Sequence, residues 1–150
     1  MNRKKQIEPA IRARIDELLE ASGKKFSSGD LKGSLDIALQ AWDLIPASKA
    51  DWDYYPQSLS AGFVQDFADL GDKDNVFKWS QIMAEMYDDP DHKDHLVLMT
   101  EGEAMYKLGN TDRAYYVFGR IYEIYGQKSF AGDQTAYLEF YRKEKAARGE

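Results

Sequence analysis

Leu96-Val97-Leu98-Met99-Thr100-Glu101-Gly102-Glu103-Ala104-Met105-Tyr106-Lys107-Leu108 is followed by Gly109-Asn110. A second run, Ala114 to Tyr125, then closes at Gly126. Apolar residues recur every three to four positions in both runs, the spacing that lines one face of a helix. Gly109 can take the left-handed conformation that ends a helix, and Asn110 can cap the next one through its side-chain oxygen. The stretch therefore reads as helix, tight turn, helix. Period-two alternation, the mark of a half-buried strand, is nearly absent from the whole chain.

The same grammar appears twice more upstream. Ile15 to Phe26 is amphipathic, Gly29-Asp30 forms the turn, and Leu31 to Ile45 runs until Pro46, which has no N–H to continue a helix. Leu59 to Leu70 precedes Gly71-Asp72, and Val76 to Tyr87 follows, with Pro90 beyond. Pro9 supplies a preset first-turn residue for the opening helix. The pattern predicts seven helices, over about 9–26, 30–45, 56–70, 74–87, 94–108, 112–125 and 133–147. The last is apolar at Tyr137, Phe140 and Tyr141 and then turns Lys/Arg-rich, as a helix closing a stack should. At 150 residues the expectation is one domain, with a core large enough to stand without staples.

These residues resemble tetratricopeptide repeats, whose unit of about 34 residues places small side chains where its two helices touch and a Gly-Asp or Gly-Asn turn between them. A unit over 15–48 supplies Ser22, Gly29-Asp30, Ser34, Ala41 and Pro46. One over 95–128 supplies Gly102, Gly109-Asn110, Ala114, Phe118 and Ile121. The middle unit, 57–90, keeps Gly71-Asp72 but carries Val64, Val76 and Met83 at the small positions, so its helices are expected to splay. The implied fold is all-α: antiparallel helix-pair repeats forming a tetratricopeptide-like (TPR-like) α-solenoid of about seven helices, closed by a C-terminal capping helix. The Gly turns at 29, 71 and 109 lie 42 and 38 residues apart, longer than the repeat. The excess falls in two inserts, Asp51 to Pro56 and Asp88 to Asp94, which should project from one edge of the stack.

A narrower resemblance rests on Ala41-Trp42-Asp43-Leu44-Ile45-Pro46 with Trp52-Asp53, and on Phe130-Ala131-Gly132-Asp133 with Tyr137-Leu138-Glu139-Phe140-Tyr141. Over about residues 10–142 the chain resembles small bacterial TPR-like proteins that accompany polymorphic or Rhs-type toxins as immunity proteins. That resemblance implies a non-catalytic role, in which the protein binds a cognate toxin and neutralises it.

Charge is unevenly spread. The net charge is −6, yet residues 51–94 hold eleven acids against Lys73, Lys78 and Lys93. Such a surface repels nucleic-acid phosphate and anionic lipid and attracts a basic protein partner; it also serves solubility. The absence of cysteine removes disulfides, thiolate metal sites and cysteine nucleophiles. The N-terminal Met1-Asn2-Arg3-Lys4-Lys5-Gln6 leads into a charged amphipathic segment, and no apolar run is long enough to span a bilayer. A cytoplasmic location follows as an expectation.

Chemistry-bearing motifs are scarce. His92-Lys93-Asp94-His95, among Asp88, Asp89 and Asp91, has metal-ligand residue types without metal-ligand spacing, and its aspartates suit helix capping. Phosphate-binding glycine loops and a nucleophile elbow are missing. The Lys/Arg-rich ends, Arg3-Lys4-Lys5 and Arg142 to Arg148, read as solvated helix faces. The chain is thus expected to be no enzyme and to use no cofactor or metal.

Aromatic residues are the stronger signal. Trp42, Phe63, Phe67, Phe77, Trp79, Phe118 and Tyr122 sit at helical spacing and are expected to pack. Asp51, Trp52, Asp53, Tyr54 and Tyr55 lie outside any amphipathic register. Aromatics beside carboxylates at a loop edge suit a binding patch, and they equally suit tying a long connection to the neighbouring helices. The TPR resemblance adds first-helix positions on the concave face. In the middle unit these are Ala61, Gln65, Ala68 and Asp69, and in the third Met99, Glu103, Tyr106 and Lys107. The candidate partner-binding set is therefore Asp51 to Tyr55, Gln65, Asp69, Glu103 and Tyr106. A TPR-like adaptor or chaperone holding peptide segments is the alternative to the toxin inhibitor.

Overall fold

A computed structural model describes residues 4–150; Arg3, in the basic N-terminal run, lies outside the described residues. Seven helices follow one another: α1 (Pro9–Ser27), α2 (Leu31–Asp43), α3 (Tyr55–Asp69), α4 (Lys73–Met86), α5 (His95–Lys107), α6 (Thr111–Tyr125) and α7 (Thr135–Ala147). Short 3-10 turns occupy Lys49–Asp51, Gln127–Ser129 and Gly132–Gln134. Among the described residues no strand forms; one isolated parallel bridge joins Lys5 to Trp52.

The three Gly turns share one hydrogen-bond pattern, which explains why the sequence announces them. Gly29, Gly71 and Gly109 have φ of 85°, 72° and 75°, a left-handed backbone that any Cβ would strain. The next residue's N–H closes the helix end behind it: Asp30 to Lys25 O, Asp72 to Phe67 O and Asn110 to Met105 O, each at 2.9 Å. The same residue then caps the following helix. Asp30 Oδ1 accepts from Gly33 N at 2.9 Å, Asp72 Oδ1 from Asn75 N at 3.2 Å and Asn110 Oδ1 from Arg113 N at 3.2 Å.

Each turn joins an antiparallel pair, α1 with α2, α3 with α4 and α5 with α6. Across pairs, α3 packs on α5, and α7 lies on α6 as a cap. The join between the first two pairs instead runs through α2 and α3. Helix α5 sits at the centre and is buried on nearly all sides, from Val97 to Gly102 and again at Ala104 and Met105.

The expected splaying of the middle pair does not occur. Helices α3 and α4 pack as extensively as the other two pairs, and Val64, Val76 and Met83 are all fully buried. Larger side chains at the touching positions fill the space that small ones would close. At the junction with the first pair, Trp79 lies 5.0 Å from Trp42 and 4.6 Å from Phe63, centroid to centroid. At the other end Phe118 stacks on Tyr137 at 5.0 Å and meets Phe130 and Phe140 edge-on. Phe77 departs from expectation: it stays 44% exposed, at the rim of a shallow depression that it shares with His92, Glu101 and Arg113.

Candidate functional site

An extended N-terminal strap, residues 4–8, crosses the first insert. Lys5 N donates to Asp51 O at 3.0 Å, and Asp53 N donates to Lys5 O at 2.8 Å. Ile7 anchors the strap in the core at 1% exposure. Lys4 Nζ donates to Ala50 O and pairs with Asp88 Oδ2 at 2.8 Å, joining the two inserts along one edge of the stack. Gln57 Nε2 reinforces that edge by donating to Trp52 O at 3.1 Å and Met86 O at 3.0 Å.

The five insert candidates fare differently. Trp52 is half-buried against the core, and its Nε1 donates to Pro46 O at 3.0 Å. Tyr55 also packs on the core, and its hydroxyl donates to Asp16 Oδ1 at 2.6 Å. That bond, with burial and the Asp16 charge adding to it, pushes the Tyr55 phenol up to about 12. Asp51 and Asp53 are exposed, and Asp53 Oδ2 accepts from Gln6 Nε2 at 3.0 Å. Tyr54 is 63% exposed, its ring edge-on to Tyr55 at 5.1 Å. Its backbone, at φ 72° and ψ −64°, forms a γ-turn closed by Tyr55 N donating to Asp53 O at 2.9 Å. A non-glycine residue there is strained by roughly 1–3 kcal/mol.

Beside this edge lies a groove of about 1160 Å³. Lys4 and Gln6 of the strap form one wall, Asp53 and Tyr54 the mouth, and Met86 and Tyr87 the far end. Gln57, Ser58, Ala61, Gly62 and Gln65 of α3 make its floor. Gln65 thus lines the same groove as Asp53 and Tyr54, whereas Asp51, Trp52 and Tyr55 do not line it.

One helical turn beyond Gln65, Asp69 pairs with Lys107 of α5 at 2.8 Å. Glu103 and Asp66 stand close to the same lysine. Burial raises the Asp66 carboxyl, the Asp69 charge adds to that, and Lys107 opposes it; burial likewise raises Glu103 against Lys107. Tyr106, 46% exposed, packs edge-on to Tyr137 at 5.4 Å and Phe140 at 5.2 Å. Ala68 and Met99, expected on the concave face, are instead buried in the core at 5% and 3% exposure. Among the described residues only Asp69 and Asp88 of the central acids make an ion pair, so the middle of the chain keeps a largely uncompensated negative surface.

The second insert is held from within and by α6, whose Arg120 Nε donates to His92 O at 2.9 Å and whose Tyr125 hydroxyl donates to Lys93 O. Asp89 Oδ1 accepts from Lys93 N at 2.8 Å and Asp94 Oδ1 caps α5 at Val97 N at 3.1 Å, as the capping reading expects. The two histidines separate. His92 Nε2 lies 2.9 Å from Glu101 Oε1, while His95 Nε2 lies 3.1 Å from Ser129 O. Glu101, at 5% exposure, is also held by Arg113, whose Nε donates to Oε2 at 3.0 Å. Burial pushes this carboxyl up, but His92 and Arg113 outweigh it and hold it below its usual range. Among the described residues no group of three or more His, Asp or Glu is placed to hold a metal ion, and no helix is long and apolar enough to cross a membrane.

Sequence reasoning missed the strap, Gln57 and Gly62 as parts of the groove. The one signal for the strap is Ile7, an isolated apolar residue in a charged run before Pro9. No protein-family model, curated protein or solved structure matches the chain.

Proposed function

We propose that this protein is a non-catalytic binding module that recognises a protein partner through the acidic edge carrying Tyr54 and the α3 groove. The observation that supports it most is Tyr54, a large aromatic held exposed in a strained turn among Asp51, Asp53 and the open groove. Fixed aromatics of this kind give contact area at low entropic cost, and uncompensated carboxylates steer a basic partner. With the sequence resemblance to TPR-like immunity proteins, the best reading is an inhibitor that covers a bacterial toxin with a basic surface. No cofactor is required, and the site of action is the cytoplasm.

A TPR-like adaptor or chaperone that holds peptide segments is the second reading, and the groove itself favours it. The two separate on binding behaviour: the inhibitor has one tight folded partner, the adaptor several modest ones. Association kinetics with the captured partner test the inhibitor. Its on-rate should fall about tenfold or more between low and high ionic strength, and Tyr54→Ala should speed dissociation without loss of helicity. A salt-independent on-rate and an unchanged Tyr54→Ala complex would contradict the reading.

A further inference from the structure

An extended chain has two hydrogen-bonding edges, because successive residues present their N–H and C=O groups to opposite sides. In the strap, Lys5 spends both groups on the insert, through Asp51 O and Asp53 N. By that alternation Lys4 and Gln6 present theirs to the other side; both residues line the groove, and neither has a backbone partner among the described residues. The strap is a short, unpaired β-edge facing an open trough.

The trough has room for a main chain. Ser58, Ala61 and Gly62 leave the α3 floor low. A Cβ built on Gly62 meets nothing within 4 Å, as at Gly23 of α1, so the groove side of α3 is open at that position. Gly102 and Gly119, in α5 and α6, differ: a Cβ would come to 2.6 Å of Phe118 and 3.1 Å of Tyr141. Gly62 leaves no side chain over that part of the floor, at a cost of roughly 0.5–1 kcal/mol in helix propensity relative to alanine. Amide side chains of Gln6, Gln57 and Gln65 line the same space, and Gln57 Oε1 is a shielded acceptor without a partner. Charge sets the preference. Lys4 is neutralised by Asp88, whereas Asp53 at the mouth has no cationic partner among the described residues.

We infer that the groove binds an extended, lysine- or arginine-bearing peptide segment that adds as a β-strand to the Lys4–Gln6 edge and lies over Gly62 of α3. The inference rests on the protein-binding reading above and specifies how a partner would engage the groove.

The probe is a fluorescein-labelled eight-residue peptide of alternating lysine and valine, followed by anisotropy on the full chain. An alternating glutamate–valine peptide tests charge. Gly62→Leu should fill the groove and weaken binding at least tenfold, while raising helix propensity so that folding is kept. Gln6→Ala removes the side chain but keeps the N–H that faces the groove, and Gln6→Pro removes both, so Gln6→Pro should weaken binding several-fold more than Gln6→Ala does. Absence of lysine–valine binding up to millimolar peptide, equal binding of the glutamate peptide, or indifference to Gly62→Leu would each overturn the inference. None of these would touch the wider reading, because a folded partner that still binds Gly62→Leu with salt-sensitive kinetics uses the acidic edge without the groove.

Discussion

Gly102→Ala adds one methyl group at the most crowded point in the helix array. The new Cβ would sit 2.6 Å from Phe118 Cε1 and 2.9 Å from Cδ1, well inside contact distance. Phe118 has little freedom to yield. It is fully buried, stacked on Tyr137 at 5.0 Å and flanked by Phe130 and Phe140. Overpacking of this kind costs about 1–3 kcal/mol. The gain in helix propensity returns roughly 0.5–1 kcal/mol. The net expectation is a loss of about 1–2 kcal/mol, or a fall of about 2–8 °C in Tm at this chain length. Urea unfolding followed by far-UV circular dichroism measures it directly, with the slope unchanged if only stability moves. Adding Phe118→Leu should reverse the sign of the coupling, since the methyl then fills the space the ring left. A Gly102→Ala protein as stable as the parent, or a double variant whose losses simply add, would refute the close helix approach.

Five other variants test the same geometry. Gly62→Ala has no neighbour to strike and should stabilise by about 0.5–1 kcal/mol in the same urea assay. Trp52→Ala should lower stability by about 2–4 kcal/mol, because it removes half-buried packing and the Pro46 bond, whereas Tyr54→Gly should be neutral or stabilising as the turn relaxes. Glu101→Gln should cost about 1–3 kcal/mol, discounted for the exposure of Arg113. Because the Glu101 carboxyl is held below its usual range, its contribution is complete above the unfolded carboxyl pKa of about 4.3 and is lost as pH falls through the folded value; acid titration of Glu101→Gln should lack that part of the loss. Tyr55, raised to about 12, contributes stability that is full below about pH 10 and lost as pH rises toward 12; ultraviolet titration of Tyr55→Phe should remove one late-ionising phenol.

Local chemistry was legible in the sequence, and non-local pairing was not. Gly29-Asp30, Gly71-Asp72 and Gly109-Asn110 carry both halves of their turns within six residues, so the helix pairs follow from them. Gly102 with Phe118 was legible as a close approach because both fall at fixed repeat positions. Val64, Val76 and Met83 misled in the other direction: size at a touching position suggests splay only if the space around it stays empty, and all three are fully buried in a core that Trp42 and Trp79 join from separate pairs. The strap could not be read, since Lys5 meets Trp52 across most of the first unit through backbone groups that every residue owns. Glu101 was hidden for a related reason. A carboxylate on a helix reads as solvated unless His92 and Arg113, from an insert and another helix, are known to converge on it.

Of the candidate residues, Asp53, Tyr54 and Gln65 line one groove, Asp51 holds the strap beside it, and Trp52 and Tyr55 pack the insert onto the core. Asp69, Glu103 and Tyr106 form a separate patch around Lys107, one turn further along α3. The two are connected by the face of α3 that carries Ser58, Gly62, Gln65 and Asp69, residues three or four apart and hence on one side of the helix.

The most direct measurement is affinity capture with the tagged protein from its native cells, at low and at high salt, read by mass spectrometry against a Tyr54→Ala control. A single partner with a basic, toxin-like domain, retained at low salt and depleted in the control, is the expected result. A set of partners sharing a short motif, held equally at both salt concentrations and by both proteins, would contradict the acidic, Tyr54-centred interface.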